Sequence, residues 1–349
     1  MRAILLCFAL PLLAWLATPS RAAETPAADP ATTAAEPDAY KMDAGPHEVE
    51  ELTLDWRDER RMRDVPVKIY LPKDAGRPSP VILFSHGLGG SREGYSYLGR
   101  HWASHGYASV HLQHIGSDDR VWRDEPAENR MPAMRRAAGN LAAAVNRPLD
   151  VRFALDTLTR ENAEGGALAG RLDLDRVGMA GHSFGAFTTL AVVGQAFSTT
   201  NRGMNMTDDR IKAAIPMSAP VRGERTSEEL DTMFGSIKVP CLHMTGTLDD
   251  SPLADTKAAD RRLPFDHSTA AGTYLIVFEG GDHMIFSGRP RVGFMSGDGS
   301  KDAEFQKHIR ASSTAFWDAY LLKDEAARAW LADGDFKAML GEAGTFESK

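Results

Sequence analysis

The amino-acid sequence predicts an α/β domain with a mainly parallel, twisted sheet and helices on both of its faces. Strand-like and helix-like segments alternate along residues 46–349 without an internal repeat. Residues 81–84 (VILF) form a continuous apolar run, as expected of a strand that is buried on both faces. Because no shift in composition marks a linker within residues 46–349, we expect them to form one domain.

The first 45 residues are expected to lie outside that domain. Arg2 precedes an apolar run at residues 3–17, and Ser20-Arg21-Ala22 follows as a cleavage site with small residues at its first and third positions. This is the pattern of a secretory signal peptide covering residues 1–22. The run is too short to span a membrane, so we expect no stable membrane insertion after cleavage; an uncleaved anchor is the alternative. Residues 23–45 are rich in Ala, Thr, Pro and acidic residues and predict a disordered leader. The mature protein is therefore predicted to be periplasmic or secreted.

Charge and cysteine content limit the binding partners and the disulfide bonds that the sequence allows. The net charge is −8 and there is no long basic run, which argues against binding to nucleic acid. Of the two cysteines, Cys7 lies in the expected signal peptide, so Cys241 can form no internal disulfide. Cys241 sits in an apolar strand pattern and is expected to pack as a small hydrophobic side chain. The sequence does not indicate an oligomeric state.

The sheet is predicted to begin with an edge hairpin. The segments HEVEELTLDW and VPVKIYLP alternate between apolar and polar residues on either side of a charged turn. The buried strand at residues 81–84 follows, then a helix over residues 95–105 and a strand over residues 107–112.

Residues 117–146 interrupt the alternation of strands and helices. This excursion contains a predicted helix near residues 134–145, and many of its residues are charged. It predicts either a small lid over the site or a solvated surface segment. An amphipathic helix is expected to follow over residues 147–162.

The second half of the chain continues the same alternation. Residues 176–180 predict a strand and residues 186–193 the start of a helix. The segments RIKAAIPMSAP, KVPCLHMTGTLDD and TYLIVFEGGDHMIF each predict a further strand. A long helix over residues 303–322 and a shorter one over residues 325–331 complete the expected domain.

A serine between two glycines lies where one of these strands turns into a helix. The pentapeptide is Gly181-His182-Ser183-Phe184-Gly185, and its context is that of a nucleophile elbow. In such an elbow the serine takes a strained backbone conformation, and the small neighbours make room for the tight turn. We expect Ser183 to be a nucleophile and the N–H of Phe184 to face the carbonyl oxygen of a substrate. An ordinary Gly-Ser turn is the alternative interpretation.

A second glycine-rich segment follows the buried strand, as His86-Gly87-Leu88-Gly89-Gly90. In hydrolases with this elbow, the corresponding loop supplies the second backbone donor to the oxyanion. By its position, Leu88 is expected to provide that N–H. His86 is expected to brace the loop, and a glycine-rich turn without chemistry is the alternative.

A serine nucleophile requires a base and an acid that orients the base, in the chain order Ser, acid, His. Asp249 follows a predicted strand and is the preferred acid; its neighbour Asp250 is the second candidate. His283 follows two glycines and a predicted strand, and it is the candidate base. The side chain of His182 is expected to point away from the serine, and Asp282 is expected to be a turn residue.

Over about residues 48–332 these features resemble the α/β-hydrolase superfamily. Two segments, FSHGLGGSREGYSYLGRHWASHGY and AGHSFG, are similar to the platelet-activating-factor acetylhydrolase and dienelactone-hydrolase-like branch of serine esterases. That acetylhydrolase pattern places its acid after the strand that follows the elbow, where this chain has Pro216-Met217-Ser218 and no carboxylate. Typical dienelactone hydrolases have cysteine in place of Ser183. The elbow also resembles bacterial polyester hydrolases of the cutinase type, but their C-terminal cysteine pair is missing.

The resemblance and the site residues predict a secreted serine carboxylic-ester hydrolase that forms an acyl-enzyme intermediate and needs no metal or cofactor. Its substrate is expected to be a small-molecule or lipid-like ester with a short acyl group, because charged residues in the excursion are costly to place against an acyl chain. Those charged residues are Asp118, Asp119, Arg120, Arg123, Asp124 and Glu125. The alternatives are a serine peptidase, a polyester or lipid hydrolase of the same fold, and an inactive binding module.

Overall fold

The computed structural model describes residues 40–196, 205–289, 291 and 299–349. The predicted signal peptide and residues 23–39 of the predicted leader lie outside the described residues. Tyr40 and Lys41, within the expected leader, both contact the buried carboxylate of Asp318, at 2.7 and 2.5 Å. Among the residues described, no helix is long and apolar enough to cross a membrane.

One sheet of nine strands forms the centre of the described chain, in the order β1-β2-β4-β3-β5-β6-β7-β8-β9. Pairing is parallel from β4 through β8 and antiparallel at both edges, between β1, β2 and β4 and between β8 and β9. The strands are β1 Val49–Asp58, β2 Arg63–Pro72, β3 Ser79–Ser85, β4 Ala108–Leu112, β5 Leu172–His182, β6 Ile211–Met217, β7 Leu242–Leu248, β8 Tyr274–Asp282 and β9 Gly344–Ser348. The predicted edge hairpin and the mainly parallel sheet are thus confirmed.

Helices cover the sheet. Those in the described ranges are α1 Ser96–Ser104, α2 Ala127–Ala138, α3 Leu141–Glu161, α4 Phe184–Val192, α5 Ser227–Phe234, α6 Leu263–Asp266, α7 Asp302–Leu321, α8 Glu325–Ala332 and α9 Asp335–Leu340. Short 3-10 helices are found at Asp119–Val121, Ala258–Arg262 and Gly341–Ala343.

The prediction of a single helix near residues 134–145 is wrong. The chain breaks there between α2 and α3, because Gly139 ends α2 and the Asn140 side chain accepts a 3.2 Å hydrogen bond from the N–H of Ala143. The amphipathic helix predicted over residues 147–162 is the C-terminal part of α3, which begins at Leu141 and runs through Pro148.

The apolar side chains form two buried clusters, one on each face of the sheet. Successive residues of β3 alternate between them: Ile82 and Phe84 belong to the cluster beneath α1 and α7, while Val81 and Leu83 belong to the cluster beneath α3 and α4. Cys241 is fully buried in the second cluster, and this burial raises the pKa of its thiol to about 12. Its predicted packing role is confirmed.

The parallel pairing brings the carboxyl ends of β3, β5, β7 and β8 to one edge of the sheet. Ser85, His182, Leu248 and Asp282 are the last residues of these four strands. The residues that follow them meet in one place, and they include the predicted site residues.

Candidate active site

Ser183 occupies the tight turn between β5 and α4. Its backbone lies in the left-handed region, with φ 57° and ψ −116°, which is unusual for a residue other than glycine. A side chain at Gly185 would place its Cβ 1.8 Å from the carbonyl oxygen of Ser85, and one at Gly181 would meet the carbonyl oxygen of Gly185 at 2.4 Å. The two glycines are therefore required by close packing, and the strained elbow geometry predicted from the sequence is present.

A cavity of about 430 Å³ opens above the elbow. Ser183 and His283 both line it, as do Leu88 and Phe184, the two residues expected to supply oxyanion donors. The structure therefore brings four of the predicted site residues to the surface of one cavity.

His283 is paired with Asp249. The Nδ1 atom of His283 lies 2.6 Å from Asp249 Oδ1, and the carboxylate is fully buried. The second carboxylate oxygen accepts hydrogen bonds from the hydroxyls of Ser218 at 2.5 Å and Thr245 at 2.9 Å. An ionised Asp249 accepts from Nδ1–H, so the Nε2 atom of His283 carries the free lone pair.

Asp250 lies elsewhere. More than half of its side chain is exposed, and its carboxylate caps the N–H of Ala258 at 2.9 Å and pairs with Lys257. These local contacts hold its pKa below the usual range. The structure thus brings Asp249, and not Asp250, to His283.

Two glycines allow the ends of β7 and β8 to approach each other. A Cβ at Gly246 would lie 2.2 Å from the carbonyl oxygen of Gly281, so side chains are excluded from this crossing. The register of the two strands shifts between Gly246 and Leu248 at the same point. Gly280 and Gly281 belong to the end of β8 itself, and His283 directly follows the strand.

The loop after β3 is braced by His86. The Nε2 atom of His86 accepts a 3.1 Å hydrogen bond from the N–H of His114, which leaves the ring proton on Nδ1 to donate to the carbonyl oxygen of Gly87 at 2.6 Å. Burial holds the pKa of His86 well below its usual range, so the ring is neutral. In a trans peptide the C=O and N–H point in opposite directions, so fixing the Gly87 carbonyl also fixes the N–H of Leu88.

Neither the N–H of Leu88 nor that of Phe184 donates a hydrogen bond to a group in the described part of the chain. Phe184 is the first residue of α4, where backbone N–H groups lack partners within the helix and favour negative charge. Both donors are therefore available to a ligand in the cavity.

A fully buried arginine joins the elbow to the loop after β3. Arg147 on α3 donates to the Ser85 hydroxyl at 3.0 Å, to the carbonyl oxygen of His86, and to the Thr188 hydroxyl on α4 at 3.0 Å. Its guanidinium also lies 4.5 Å from the centre of the Phe184 ring. Burial lowers its pKa to about 9, so it remains charged at neutral pH. Arg147 therefore ties together the two segments that present the available N–H groups.

A second group of serine, histidine and aspartate side chains lies in the interior, next to the loop after β3. His114 Nε2 is 2.9 Å from the Ser85 hydroxyl, and His114 Nδ1 is 3.0 Å from Asp150, which Arg63 also contacts. Ser85, His114 and Asp150 are completely buried and closed to substrate, and the N–H of His114 donates to His86 in the loop after β3. In the described ranges, no group of three or more His, Cys, Asp or Glu side chains is arranged to hold a metal ion.

The expectation that His182 points away from the site is wrong. Its ring lines the cavity and packs against the ring of His283, with 4.6 Å between their centres. The hydroxyl of Tyr95 lies 2.7 Å from His182 Nδ1 and holds the ring in this position. Burial, followed by the neighbouring His283 and Arg261, lowers the pKa of His182 well below its usual range.

The excursion at residues 117–146 lines one side of the cavity. It contributes mainly Trp122, Met131 and Met134, and Arg130 is its charged contribution. Of the acidic residues on which the short-acyl expectation was based, Asp118 and Asp119 are buried away from the cavity. The charge argument for a short acyl group is therefore wrong, because the face of the excursion toward the site is largely apolar.

The order of the sheet, the strained serine at the end of β5 and the histidine-aspartate pair at the ends of β8 and β7 define the α/β-hydrolase class. Within this class, the family model described as platelet-activating factor acetylhydrolase, isoform II, matches residues 63–125. The match includes the loop after β3 and ends before the elbow. The resemblance that the sequence motifs predicted is confirmed.

Two curated relatives are also similar to part of this chain. Platelet-activating factor acetylhydrolase of Cavia porcellus is 27% identical over 154 residues, which are 38% of this chain and 35% of the relative. The protein of that name from Canis lupus familiaris is 27% identical over 180 residues, 42% of this chain and 40% of the relative. The chain thus spans two fifths or less of the length of these relatives.

Proposed function

We propose that the protein is a serine carboxylic-ester hydrolase in which Ser183, His283 and Asp249 act as a catalytic triad. The observation that carries this proposal is the 2.6 Å contact between His283 and the buried Asp249, in a cavity that Ser183 also lines. The available N–H groups of Leu88 and Phe184 on that cavity supply the oxyanion hole.

In the first half of the reaction, Ser183 Oγ attacks the carbonyl carbon of the ester and His283 Nε2 accepts the hydroxyl proton. The negative charge that develops on the carbonyl oxygen is held by the two backbone donors. The bond to the alcohol oxygen then breaks, and His283 returns the proton to the departing alcohol. The product is an acyl group bonded to Ser183.

In the second half, water attacks the acyl carbon while His283 accepts a proton from the water. The same two N–H groups stabilise the second oxyanion. When the bond to Ser183 breaks, the proton returns to the serine oxygen and the carboxylic acid leaves. Asp249 keeps its negative charge throughout and stabilises the imidazolium that forms twice in each cycle.

A fluorophosphonate probe tests the proposal directly. An activated serine attacks the phosphorus and remains covalently labelled, and mass spectrometry then identifies the modified residue. Labelling at Ser183 together with hydrolysis of nitrophenyl acetate supports an esterase. A folded protein that reacts with neither reagent supports a binding module that has retained the hydrolase fold.

We also propose that the acyl group is short, a proposal that rests on size and not on charge. A cavity of about 430 Å³ is near the lower end of the roughly 300–1,000 Å³ typical of small-molecule sites, and it must hold both parts of the ester. The curated relatives are named as acetylhydrolases, which describes hydrolysis of a two-carbon acyl group. Each methylene gains about 0.8 kcal/mol until the cavity is full, and further ones gain nothing.

Relative kcat/KM on nitrophenyl esters is therefore expected to peak at about two to six acyl carbons. The measurement is a series from acetate to palmitate, each ester kept below the concentration at which it forms micelles. A maximum at about twelve carbons or more, or a jump in rate when an oil interface forms, would favour a lipase instead.

We propose further that the protein is exported, on the basis of the signal-peptide pattern at residues 1–22. N-terminal sequencing of protein recovered outside the cytoplasm is expected to begin at Ala23 or Glu24. Since Cys241 would then be the only cysteine, the melting temperature should not change when reductant is added. Recovery of exported protein that retains Met1 would contradict this proposal.

A further inference from the structure

Arg261 is a buried cation beside the histidine-aspartate pair. It lies in the 3-10 helix Ala258–Arg262, is only 2% exposed, and reaches the wall of the cavity. Its Nε atom lies 2.9 Å from Asp249 Oδ1 and 2.6 Å from the carbonyl oxygen of Asp249. A second nitrogen donates to the carbonyl oxygen of Ser218 at 2.6 Å. Two contacts thus hold the guanidinium against Asp249, and a third holds it against Ser218 after β6.

The remaining guanidinium nitrogen lies 3.3 Å from Nδ1 of His283. That atom already donates its proton to Asp249, and the arginine nitrogen is also a donor, so the two N–H groups face each other without a hydrogen bond. The positive charge of Arg261 therefore lies next to a ring that must itself become positive during the proposed reaction.

Among the described residues, four other charged or titratable groups lie near His283. Asp249, directly after β7, contacts both the ring and Arg261, and its negative charge opposes that of the guanidinium. His182 from β5 packs on the ring and is kept neutral by burial. Asp282, the preceding residue, is paired with Arg291. Arg289 also lines the cavity and adds charge of the same sign.

We propose that Arg261 is a positioning residue whose charge also acts on the base: it holds Asp249 toward His283, and its fixed positive charge opposes the positive charge that the imidazole takes on when it accepts a proton. The inference rests on the proposed esterase function. It assigns a role to a residue outside the triad, because the guanidinium acts on the base and does not touch the reacting atoms.

The direction of the effect follows from charge repulsion. A nearby positive charge disfavours a second positive charge on the ring. A variant that lacks the charge of Arg261 is therefore expected to become active at higher pH than the wild type. The acidic limb of the kcat/KM profile reports this step in the free enzyme. At contact distance, one unit charge shifts such a limb by about one pH unit or more. Burial lowers the pKa of the Arg261 guanidinium from its ordinary value of 12.5, yet its pairing with Asp249 keeps it charged.

Three variants separate charge from structure. Arg261→Gln keeps an amide donor for the nearby carbonyls and removes the charge, whereas Arg261→Lys keeps the charge and loses the bridging geometry. Arg262→Met is the matched control, since Arg262 lies in the same 3-10 helix and pairs with Asp266 and Glu347, away from the cavity. The measurement is kcat/KM for nitrophenyl acetate from about pH 4 to pH 9, per active site titrated with fluorophosphonate.

The acidic limb of Arg261→Gln is expected about one unit or more above that of the wild type. The limbs of Arg261→Lys and Arg262→Met are expected at the wild-type position, and kcat of the lysine variant should fall. If the acidic limbs of Arg261→Gln and Arg261→Lys lie at the same pH, the proposal is overturned, because Arg261 then has a structural role only. Since active sites are titrated, misfolded protein does not enter the comparison. If ester hydrolysis by the protein does not depend on Ser183, the proposed function is overturned, and this inference with it.

Discussion

Replacing Ser183 by alanine is expected to lower kcat for ester hydrolysis by roughly six orders of magnitude while leaving the fold intact. Ser183 is the residue that bonds to the acyl group in the proposed mechanism. Ser218 also has a positive φ after a strand, but it is fully buried. Alanine keeps the Cβ at this strained position, so the melting temperature should stay close to that of the wild type. The measurements are kcat on nitrophenyl acetate and thermal unfolding followed by circular dichroism.

His283→Ala is expected to cause a loss of similar size, and the double variant should be little worse than either single one, because triad members act as a unit. Ser251→Ala is the matched control, since Ser251 also lines the cavity but caps local N–H groups of its own loop. Near-normal hydrolysis by folded Ser183→Ala would show that the proposed nucleophile is wrong.

Asp249→Asn is expected to lower kcat by roughly three to four orders of magnitude, because the amide can present its NH₂ to His283 and hold the wrong tautomer of the ring. Asp250→Asn should cost far less. Its side chain is more than half exposed, and the amide oxygen can still cap Ala258. The pair of variants is well matched, since both remove one negative charge from adjacent positions.

Stability must be measured alongside these rates. Asp249→Asn leaves the buried guanidinium of Arg261 without its counter-charge, so the melting temperature of this variant should fall, whereas that of Asp250→Asn should not. Rates are therefore compared per folded molecule, with the folded fraction taken from circular dichroism. If Asp250→Asn had the larger effect on kcat, the acid would have to be assigned to Asp250.

Much of the fold could be predicted because each strand carries its pattern locally. The alternation in β1 and β2 and the continuous apolar run in β3 are properties of a few neighbouring residues. The break between α2 and α3 was missed because it depends on the cap at Asn140. β9 was missed since its five residues become a strand only by pairing with β8.

The residues of the candidate site also fall into those that the sequence could predict and those that it could not. Ser183, Asp249 and His283 could be selected because each follows a strand at a recognisable turn, and parallel strands bring such turns together. Arg147 and Arg261 could not be selected, since in sequence each appears to be an ordinary surface charge. Their burial arises from contacts with residues distant along the chain, and no local sequence pattern indicates it.

The left-handed backbone at Ser183 limits how the protein can be engineered for heat resistance. A residue other than glycine in such a conformation costs of order 1–3 kcal/mol, a sizeable part of the stability of a typical domain. Glycine at position 183 would relieve this cost and would remove the hydroxyl in the same step. A screen that rewards thermal stability alone would therefore enrich inactive molecules, and variants of this protein have to be selected for stability and turnover together.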